Sequence, residues 1–318
     1  PFQCIFCNQK KISGQLETPS FDEIRVSIEK HLSTIRKENS EIEIGFFGGN
    51  FTGILLDEQE KYLKIANDYL DRGISGIRLS TRPDYINEDV ILLLKQYNVT
   101  TVELGAQSFD SEVLKKSGRG HTMQDIIYAS SMIKNAGIKL GLQMMIGLPG
   151  DTIDKSIFTA NNIVGLGADN TRLYPALVIK GTALEKLFND GKYKPLSLSE
   201  AVNWTKTILQ IFENNNVTIL RIGLHPSEGL LNGHELAAGP FHISFKELVL
   251  SNIWNDLLSN IEHKTENCDI TIEVSKKEFN YAIGYSAQNK KMLQKHFAKV
   301  KFIASPLLKN REFNVIYC

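Results

Sequence analysis

Long apolar runs are missing from this 318-residue chain: no stretch of eighteen or more hydrophobic residues occurs, so no membrane-spanning helix is expected. Cysteine is scarce. Four cysteines cannot staple a chain of this length, which excludes a disulfide scaffold. Net charge is absent as well, because 36 Lys and Arg balance 36 Asp and Glu, so total charge points to no partner. There is no internal repeat and no low-complexity tract, which argues against a solenoid or a disordered linker. No signal-peptide pattern opens the chain, and its first residue is Pro rather than Met, so a start inside a motif is expected. What is present is ordinary for a globular protein: 42% hydrophobic and 23% charged residues, in a length that can bury one large core and a small second one. The close pair Cys4 and Cys7 suits metal or redox work in a reducing compartment, and a cytoplasmic protein is expected.

Strand-like and helix-like segments alternate over about two-thirds of the sequence. Apolar runs predict strands at Ile42–Phe47, Gly76–Ser80, Thr101–Gly105, Lys139–Met145 and Thr171–Val178. Helical periodicity predicts helices at Phe21–Lys37, Asp57–Asp71, Glu88–Tyr97, Met123–Ala136, Asp154–Leu166 and Ser199–Asn214. Ser20-Phe21-Asp22-Glu23 reads as a capping box, and Thr122 and Asp151 as N-caps. Strands separated by single helices imply parallel βα units with right-handed crossovers. Polar or glycine-rich residues follow nearly every strand: Gly48-Gly49-Asn50, Thr81 to Asp84, Gln107-Ser108, Gly147 to Gly150 and Lys180 to Thr182. A ring of such loops at one face is a barrel arrangement, whereas an open sheet would concentrate them at one switch point. The expected fold is therefore α/β, a partial (β/α)6-type TIM-like barrel over residues 1–224. Beyond residue 224 the rhythm changes, and residues 225–318 read as a small C-terminal α+β appendage. It has a helix at Phe245–Ile261, a helix near Gln288–Phe297, and strands at Ile270–Val274, Lys301–Ile303 and Phe313–Tyr317.

Cys4-Ile5-Phe6-Cys7 is a C-x-x-C pair, a spacing shared by structural zinc, redox thiols and iron–sulfur ligation. Structural zinc needs four ligands, and the other cysteines, Cys268 and Cys318, lie far away and 50 residues apart. A redox dithiol belongs before a helix of a much smaller fold. The pair alone does not decide between them.

Its surroundings are more specific. Pro1 to Gln9 resembles the cluster loop of radical S-adenosylmethionine (SAM) enzymes, whose pattern is C-x-x-x-C-x-x-C. Gly45-Phe46-Phe47-Gly48-Gly49-Asn50-Phe51-Thr52 is similar to that family's glycine-rich SAM loop. Leu79 to Tyr85, Val102 to Phe109 with Arg119-Gly120-His121-Thr122, Met144 to Asp151 and Tyr174 to Thr182 follow in the same order. Together these resemble the radical SAM barrel of the Elongator catalytic-subunit family, which modifies wobble uridines in tRNA, over roughly residues 1–215. The sequence departs from that family in three ways. Asn50 stands where Thr or Glu is usual, nothing after residue 224 resembles an acetyltransferase domain, and the first cysteine would stand directly before Pro1.

The resemblance implies a 4Fe–4S cluster held by Cys4, Cys7 and that upstream cysteine. It implies S-adenosyl-L-methionine as second cofactor, an electron donor, and cleavage of SAM to a 5′-deoxyadenosyl radical. With two ligands of three, the chain as given is expected to hold no intact cluster and to be inactive. Gly48 and Gly49 would let the backbone approach SAM, with Asn50 beside them. Glu103, Gln107 and Ser108 would bond ribose or carboxylate oxygens, Gly147 and Leu148 would form an adenine shelf, and Arg82 would bind an anion. Outside the resemblance, each has a plainer reading: a tight turn at Gly48-Gly49, a buried ion-pair partner at Glu103, a core position at Met144-Met145. His121 and Lys180 read first as a helix-start residue and a solvated cation, and His225 and His234 as loop residues without a ligand role.

Charge is unevenly distributed. From Lys276 to Arg311 nine Lys or Arg face one acid, Glu278, a net of about +8. Phe279, Tyr281, Tyr285, Phe297 and Phe302 are interleaved with them. Such a segment can hold an RNA backbone and stack bases, or it can be a solvated helix face over a small aromatic core. The leading expectation is a radical SAM enzyme acting on RNA, tRNA in particular. The alternatives are a radical SAM enzyme on a small molecule, as in coproporphyrinogen dehydrogenase relatives, and a non-catalytic protein that keeps the cluster or SAM site.

Overall fold

The computed structural model describes residues 4–8, 19–35, 41–224, 227–262 and 268–317. The expectations for Pro1 to Gln3, Gln9, Lys37, His225-Pro226 and Cys318 lie outside the described residues. The chain divides into two units, one of residues 1–197 and 208–240, the other of residues 198–207 and 241–318.

The first unit is built on six parallel strands: β1 Glu43–Phe46, β2 Gly76–Thr81, β3 Val99–Gln107, β4 Lys139–Ile146, β5 Asn170–Pro175 and β7 Thr218–Ile222. Their order in the sheet is β1-β2-β3-β4-β5-β7, sequential and without reversal, and every pairing is parallel. An open doubly wound sheet would reverse its order at a switch point. This one does not, and the partial (β/α)6 barrel is the fold. Helices α1 Phe21–Thr34, α2 Leu56–Asn67, α3 Glu88–Gln96, α4 Ser111–Lys116, α5 Met123–Asn135, α6 Ile153–Gly165 and α7 Ala183–Asn189 alternate with the strands. The Ser20 capping box forms, and Thr122 makes one with Asp125 at the start of α5. At α6 the cap is Thr152, one residue later than expected, because Asp151 turns its carboxylate to Gly147 N and Ser156 Oγ, both at 2.8 Å.

Strand alternation gives the barrel two different faces. Ile77, Leu79, Val102, Leu104, Leu140, Leu142, Met144 and Leu173 are fully buried, and α5 and α6 pack on β4. Each such side chain contributes about 1.5–3 kcal/mol of burial free energy. The alternate positions carry Arg78, Ser80, Glu103, Gly105, Gln143 and Arg172, so the strands are not the continuous apolar runs that the sequence suggested.

Two boundaries differ from expectation. The run expected as one strand at Thr171–Val178 ends at Pro175, which lacks an N–H for the ladder. A two-residue strand β6, Val178–Ile179, then pairs antiparallel with β8, Leu236–Ala238. The sixth barrel strand, β7, was not read from the sequence, because its alternation of Ile219 with Leu220 and Arg221 is weak.

In the second unit α10 (Phe245–Ser259), α11 (Phe279–Ile283) and α12 (Gln288–Leu293) accompany a three-stranded sheet. Its order is β10-β9-β11, from Lys299–Ser305, Asp269–Ser275 and Phe313–Tyr317. The earlier helices α8 (Leu198–Asn214), within which the two units divide, and α9 (Glu228–Leu231) complete the set. Trp254, Leu258, Ile270, Ile272, Phe297 and Phe302 form the small core, with Phe279 and Tyr281 packed against it. Trp254 Nε1 donates to Glu278 at 2.7 Å, and Asn289 Nδ2 donates to Ser251 O at 2.9 Å. Among the described residues no helix is long and apolar enough to cross a membrane.

Candidate functional site

The two thiols sit on one turn. Cys7 N donates to Cys4 O at 3.1 Å, Ile5 N to Ser117 O at 3.2 Å, and Leu184 N to Ile5 O at 2.8 Å, so the turn is tied to the barrel at two points. Phe6 is buried with Val113, Leu148, Ala176, Val178 and Tyr193, and both cysteines pack against this cluster. Neither thiol is in a disulfide.

Two guanidinium groups reach this turn. Arg119 Nη1 lies 3.1 Å from Cys4 Sγ and Arg82 Nη1 3.9 Å from it. Arg82 forks onto Asp84, with Nε–Oδ1 at 2.9 Å and Nη2–Oδ2 at 2.8 Å, and also donates to Arg119 O at 2.6 Å. Arg119 donates through Nη2 to Gly105 O. Burial, with the neighbouring Cys4 adding to it and Arg119 opposing, pushes the Cys7 thiol up to about 11. Among the described residues no group of three His, Cys, Asp or Glu side chains could hold a metal ion.

The strand-end loop after β1 is shaped by glycine. Gly48 has φ of 103°, a conformation that side chains disfavour. A Cβ placed on Gly49 would meet nothing within 4 Å. Asn50 closes the loop, accepting at Oδ1 from Thr81 Oγ1 at 2.5 Å and from Arg82 N at 3.1 Å, while its buried Nδ2 has no partner.

Gly48, Gly49, Cys7, Arg82, Arg119 and Gln107 share the wall of one cavity of about 350 Å³. That is within the range of small-molecule sites. Gln107 stands at φ of 65°, and its buried Oε1 has no hydrogen-bond partner. A buried acceptor without a partner costs about 1–3 kcal/mol, which a donor entering the cavity would recover. A larger hollow of about 800 Å³, lined mainly by apolar residues of α1 and β1, borders the same Gly48 to Asn50 loop.

A charged layer crosses the barrel from strand to strand: Glu43, Arg78, Glu103, Gln143, Arg172, Arg221. Arg78 bonds Glu43 and Glu103, each at 2.8 Å. Glu103 also accepts from Arg172 Nε at 2.5 Å and Nη2 at 3.1 Å, and from Gln143 Nε2 at 3.1 Å. Burial works against ionisation of this carboxyl, but the bonds from Arg172, then Arg78 and Gln143, hold it below the usual range. The Arg172 guanidinium also lies over the Phe47 ring, 4.9 Å from its centroid.

The structure therefore brings Cys7, Gly48, Gly49, Arg82 and Gln107 to one cavity, with Cys4 and Asn50 immediately behind them. The other expected site residues stand outside its lining. Glu103 has both oxygens engaged in the charged layer. Ser108 Oγ is 3.3 Å from Thr159 Oγ1 and accepts from Asp110 N at 3.1 Å. Gly147, at φ of 73°, accepts at its carbonyl from Tyr193 at 2.6 Å, and Leu148 packs on Phe6. His121 is buried and neutral. Its Nε2–H donates to Ala106 O at 3.2 Å, and burial, then Arg119, push its pKa down to about 4. Sequence reasoning missed Arg119, Gln143, Arg172 and Arg221 as cavity residues. Their signal was the polar residue at alternate strand positions and, for Arg119, its place beside His121.

A family model described as the radical SAM superfamily matches residues 1–160, and one described as the Radical_SAM C-terminal domain matches residues 168–255. A tRNA uridine(34) acetyltransferase of Methanocaldococcus infernus is 30% identical over 212 residues, 58% of this chain and 39% of that protein. Elongator complex protein 3 of Homo sapiens is 28% identical over 191 residues, 54% of this chain and 35% of that protein. The matched part is thus about two-fifths of these relatives' length or less. The solved structure of archaeal Methanocaldococcus infernus Elp3 with an N-terminal deletion superposes with a TM-score of 0.65 at 26% identity, covering 74% of this chain and 59% of that one. Streptococcus suis SuiB superposes with a TM-score of 0.51 at 14% identity, covering 70% of this chain and 46% of that one, a likeness of fold alone.

Proposed function

Because the chain belongs to the radical SAM superfamily, we propose that it binds a 4Fe–4S cluster through Cys4 and Cys7, binds SAM beside Gly48 and Gly49, and uses them to modify RNA. The observation that carries this reading is the shared cavity, into which the cysteine turn, the open face of Gly49 and the unpartnered Gln107 Oε1 all converge.

The donor set fits in kind. Two soft thiols on one turn beside two guanidiniums suit iron–sulfur ligation, with a third cysteine expected upstream of Pro1. When bound, the cluster supplies the electron that cleaves SAM into methionine and a 5′-deoxyadenosyl radical. The remaining work belongs to this chain's side chains. Arg119 and Arg82 bring their guanidinium groups to Cys4 Sγ, at 3.1 and 3.9 Å. Gly48 and Gly49 leave room for a ligand against the backbone, and Gln107 Oε1 offers an acceptor to its ammonium or hydroxyl groups. Asn50, through Arg82 N and Thr81, fixes the loop's position. Phe6, Leu148 and Met145 keep water from the thiols. Ser108, Gly147, Leu148 and Glu103 act as supports rather than contacts. A cytoplasmic location is part of the proposal, since it suits an oxygen-sensitive cluster and an electron donor.

RNA as substrate is supported by the tRNA-acting relatives and by the second unit. Lys276, Lys277, Lys291, Lys295, Lys299, Lys301 and Lys309 are exposed there, whereas Phe297 and Phe302 are buried in its core. The surface therefore offers charge for phosphates. Among the described aromatic residues there, Tyr285, 38% exposed and edge-on to His242, is the most open ring. Acetyl transfer is not part of the proposal, because the likeness does not extend to the rest of those relatives.

SAM binding by the natural full-length protein tests the reading. Gly49→Leu fills open space, so it should fold with an unchanged melting temperature yet lose at least tenfold in SAM affinity. SAM affinity unchanged in Gly49→Leu would refute the assigned site.

A further inference from the structure

We propose that the second unit is a single-strand RNA clamp, in which the loop Gly284-Tyr285-Ser286-Ala287 grips the RNA backbone and the lysines of α12 and β10 answer its phosphates. This rests on the reading of RNA as substrate, and it names the form of RNA and the surface that takes it.

The topology comes first. Strand β9, helices α11 and α12 and strand β10 form a β-α-α-β unit in which β9 and β10 pair in parallel, from Asp269 with Lys299 to Ser275 with Ser305. Strand β11 pairs antiparallel with the other side of β9, so the order β10-β9-β11 leaves β10 at an edge. Both helices lie on one face, where Ala282 and Leu293 are buried with Ile272, Val274, Val300 and Phe302. Two helices joined by a four-residue loop over such a sheet make up the framework of KH modules, whose GXXG loop clamps the backbone of four nucleotides. Here that loop reads Gly-Tyr-Ser-Ala, with Ala287 in the place of the second glycine.

Its shape is held from below. Gly284 has φ of 87°, and a Cβ there would stand 2.9 Å from Asn289 N. Ser286 and Ala287 follow at φ of 51° and 59°, two left-handed residues in succession that both carry side chains. Such backbone persists only where its surroundings fix it. Tyr285 N donates to Ser251 Oγ at 2.9 Å, and Ala287 N donates to Gly284 O at 2.8 Å. Asn289 is fully buried beneath. Its Nδ2 donates to Ser251 O at 2.9 Å and to Ala282 O at 3.2 Å, and its Oδ1 accepts from Asn255 Nδ2 at 3.0 Å. A buried polar network thus sets a loop whose tip, Tyr285 and Ser286, is exposed.

Charge selects the occupant. From Tyr281 to Ile303 the chain carries Lys290, Lys291, Lys295, Lys299 and Lys301 and no acidic residue. Lys291 and Lys295 are exposed on and just after α12, and Lys299 and Lys301 at alternate positions of the edge strand β10. An unshaped cationic surface binds duplex at least as well as single strand, because duplex carries more phosphates per length. A loop that grips one backbone reverses that order.

The test measures binding of an eight-nucleotide oligouridylate to the natural full-length protein at low salt, by fluorescence anisotropy, against an RNA duplex of the same length. The single strand is expected to bind at least fivefold more tightly than the duplex. Ser286→Asp sets a carboxylate at the loop tip, on left-handed backbone that Asp tolerates. It should lower single-strand affinity at least tenfold with an unchanged melting temperature. Ser286→Asn, with the same backbone preference and no charge, should stay within threefold of the unaltered protein. Duplex bound as tightly as single strand, or affinity within twofold in Ser286→Asp, would overturn the inference. An equal loss in Ser286→Asn would trace the effect to shape rather than to a phosphate at the tip, and would overturn it too. No binding of either probe would overturn the RNA reading as a whole, whereas absent SAM binding with the single-strand preference intact would sink the cofactor reading and support this one.

Discussion

Replacing Glu103 by Gln removes the carboxylate that holds Arg78 and Arg172 in the charged layer. Glu103 is 1% exposed, and its partners keep only 14% and 19% of their side-chain surface. Breaking a buried ion pair costs about 3–5 kcal/mol when one partner is left without its counter-charge. Here the cost is reduced, because Arg78 retains Glu43 at 2.8 Å and both arginines keep some solvent. Glutamine keeps one acceptor but turns a donor amide towards Arg172 or Gln143, so at least one donor–donor contact replaces a bond. We expect a loss of about 2–3 kcal/mol at pH 7 in urea unfolding of the barrel transition, and a fall in melting temperature of about 5–10 °C. The companion variant Arg172→Met should recover part of this. In a double-mutant cycle the two changes should couple by at least about 1.5 kcal/mol. The pH sign is fixed as well. A carboxyl held below its ordinary value contributes stability above about pH 4.5 that is lost as pH falls through its folded value. The gap between the unaltered protein and Glu103→Gln should therefore close in acid. A cost below about 0.5 kcal/mol, or no coupling with Arg172→Met, would refute the reasoning.

Other consequences follow from individual groups. His121, pushed down to about 4 from 6.5, binds its proton more readily unfolded than folded, so its stability contribution is complete above pH 6.5 and is lost as pH falls towards 4. Between pH 7 and 5 this group should cost about 2 kcal/mol, and His121→Gln should flatten the urea profile by that amount. Binding of single-stranded RNA to the second unit's lysines should weaken steeply with salt, at a log–log slope of about −0.7 per phosphate contacted. Lys291→Ala with Lys295→Ala should reduce that slope by about one to two, read by filter binding across a salt series. Tyr285→Ala should change affinity less than the lysine pair if charge rather than stacking dominates; a larger loss would reverse that ranking.

Much of the barrel was legible because strand and helix periodicities differ and because each strand ends in Gly or polar residues. The capping boxes at Ser20 and Thr122 were readable because that device is local. What escaped depended on tertiary packing. Strand β7, Thr218–Ile222, is short and weakly alternating, and its place in the sheet is set by pairing with β5 rather than by propensity. The break at Pro175 was visible as a proline, but the antiparallel partner of Val178–Ile179 comes from Leu236–Ala238, about 60 residues later. At the site, Cys4, Cys7, Gly48, Gly49 and Gln107 could be named from motif alone. Arg119, Arg172 and Arg221 could not, because a charge inside a strand reads equally as a surface residue until the strands curl and bring alternate positions to one interior. The aromatics of the basic segment were ambiguous for the same reason, and packing places Phe297 and Phe302 in the core.

The most direct measurement is anaerobic iron–sulfide reconstitution of the natural full-length protein, followed by reduction in the presence of SAM and quantification of 5′-deoxyadenosine. The account predicts its formation, and its loss together with the cluster's visible absorbance in Cys4→Ala and in Cys7→Ala. A fully formed cluster in either alanine variant, or no 5′-deoxyadenosine from the reconstituted unaltered protein, would contradict it.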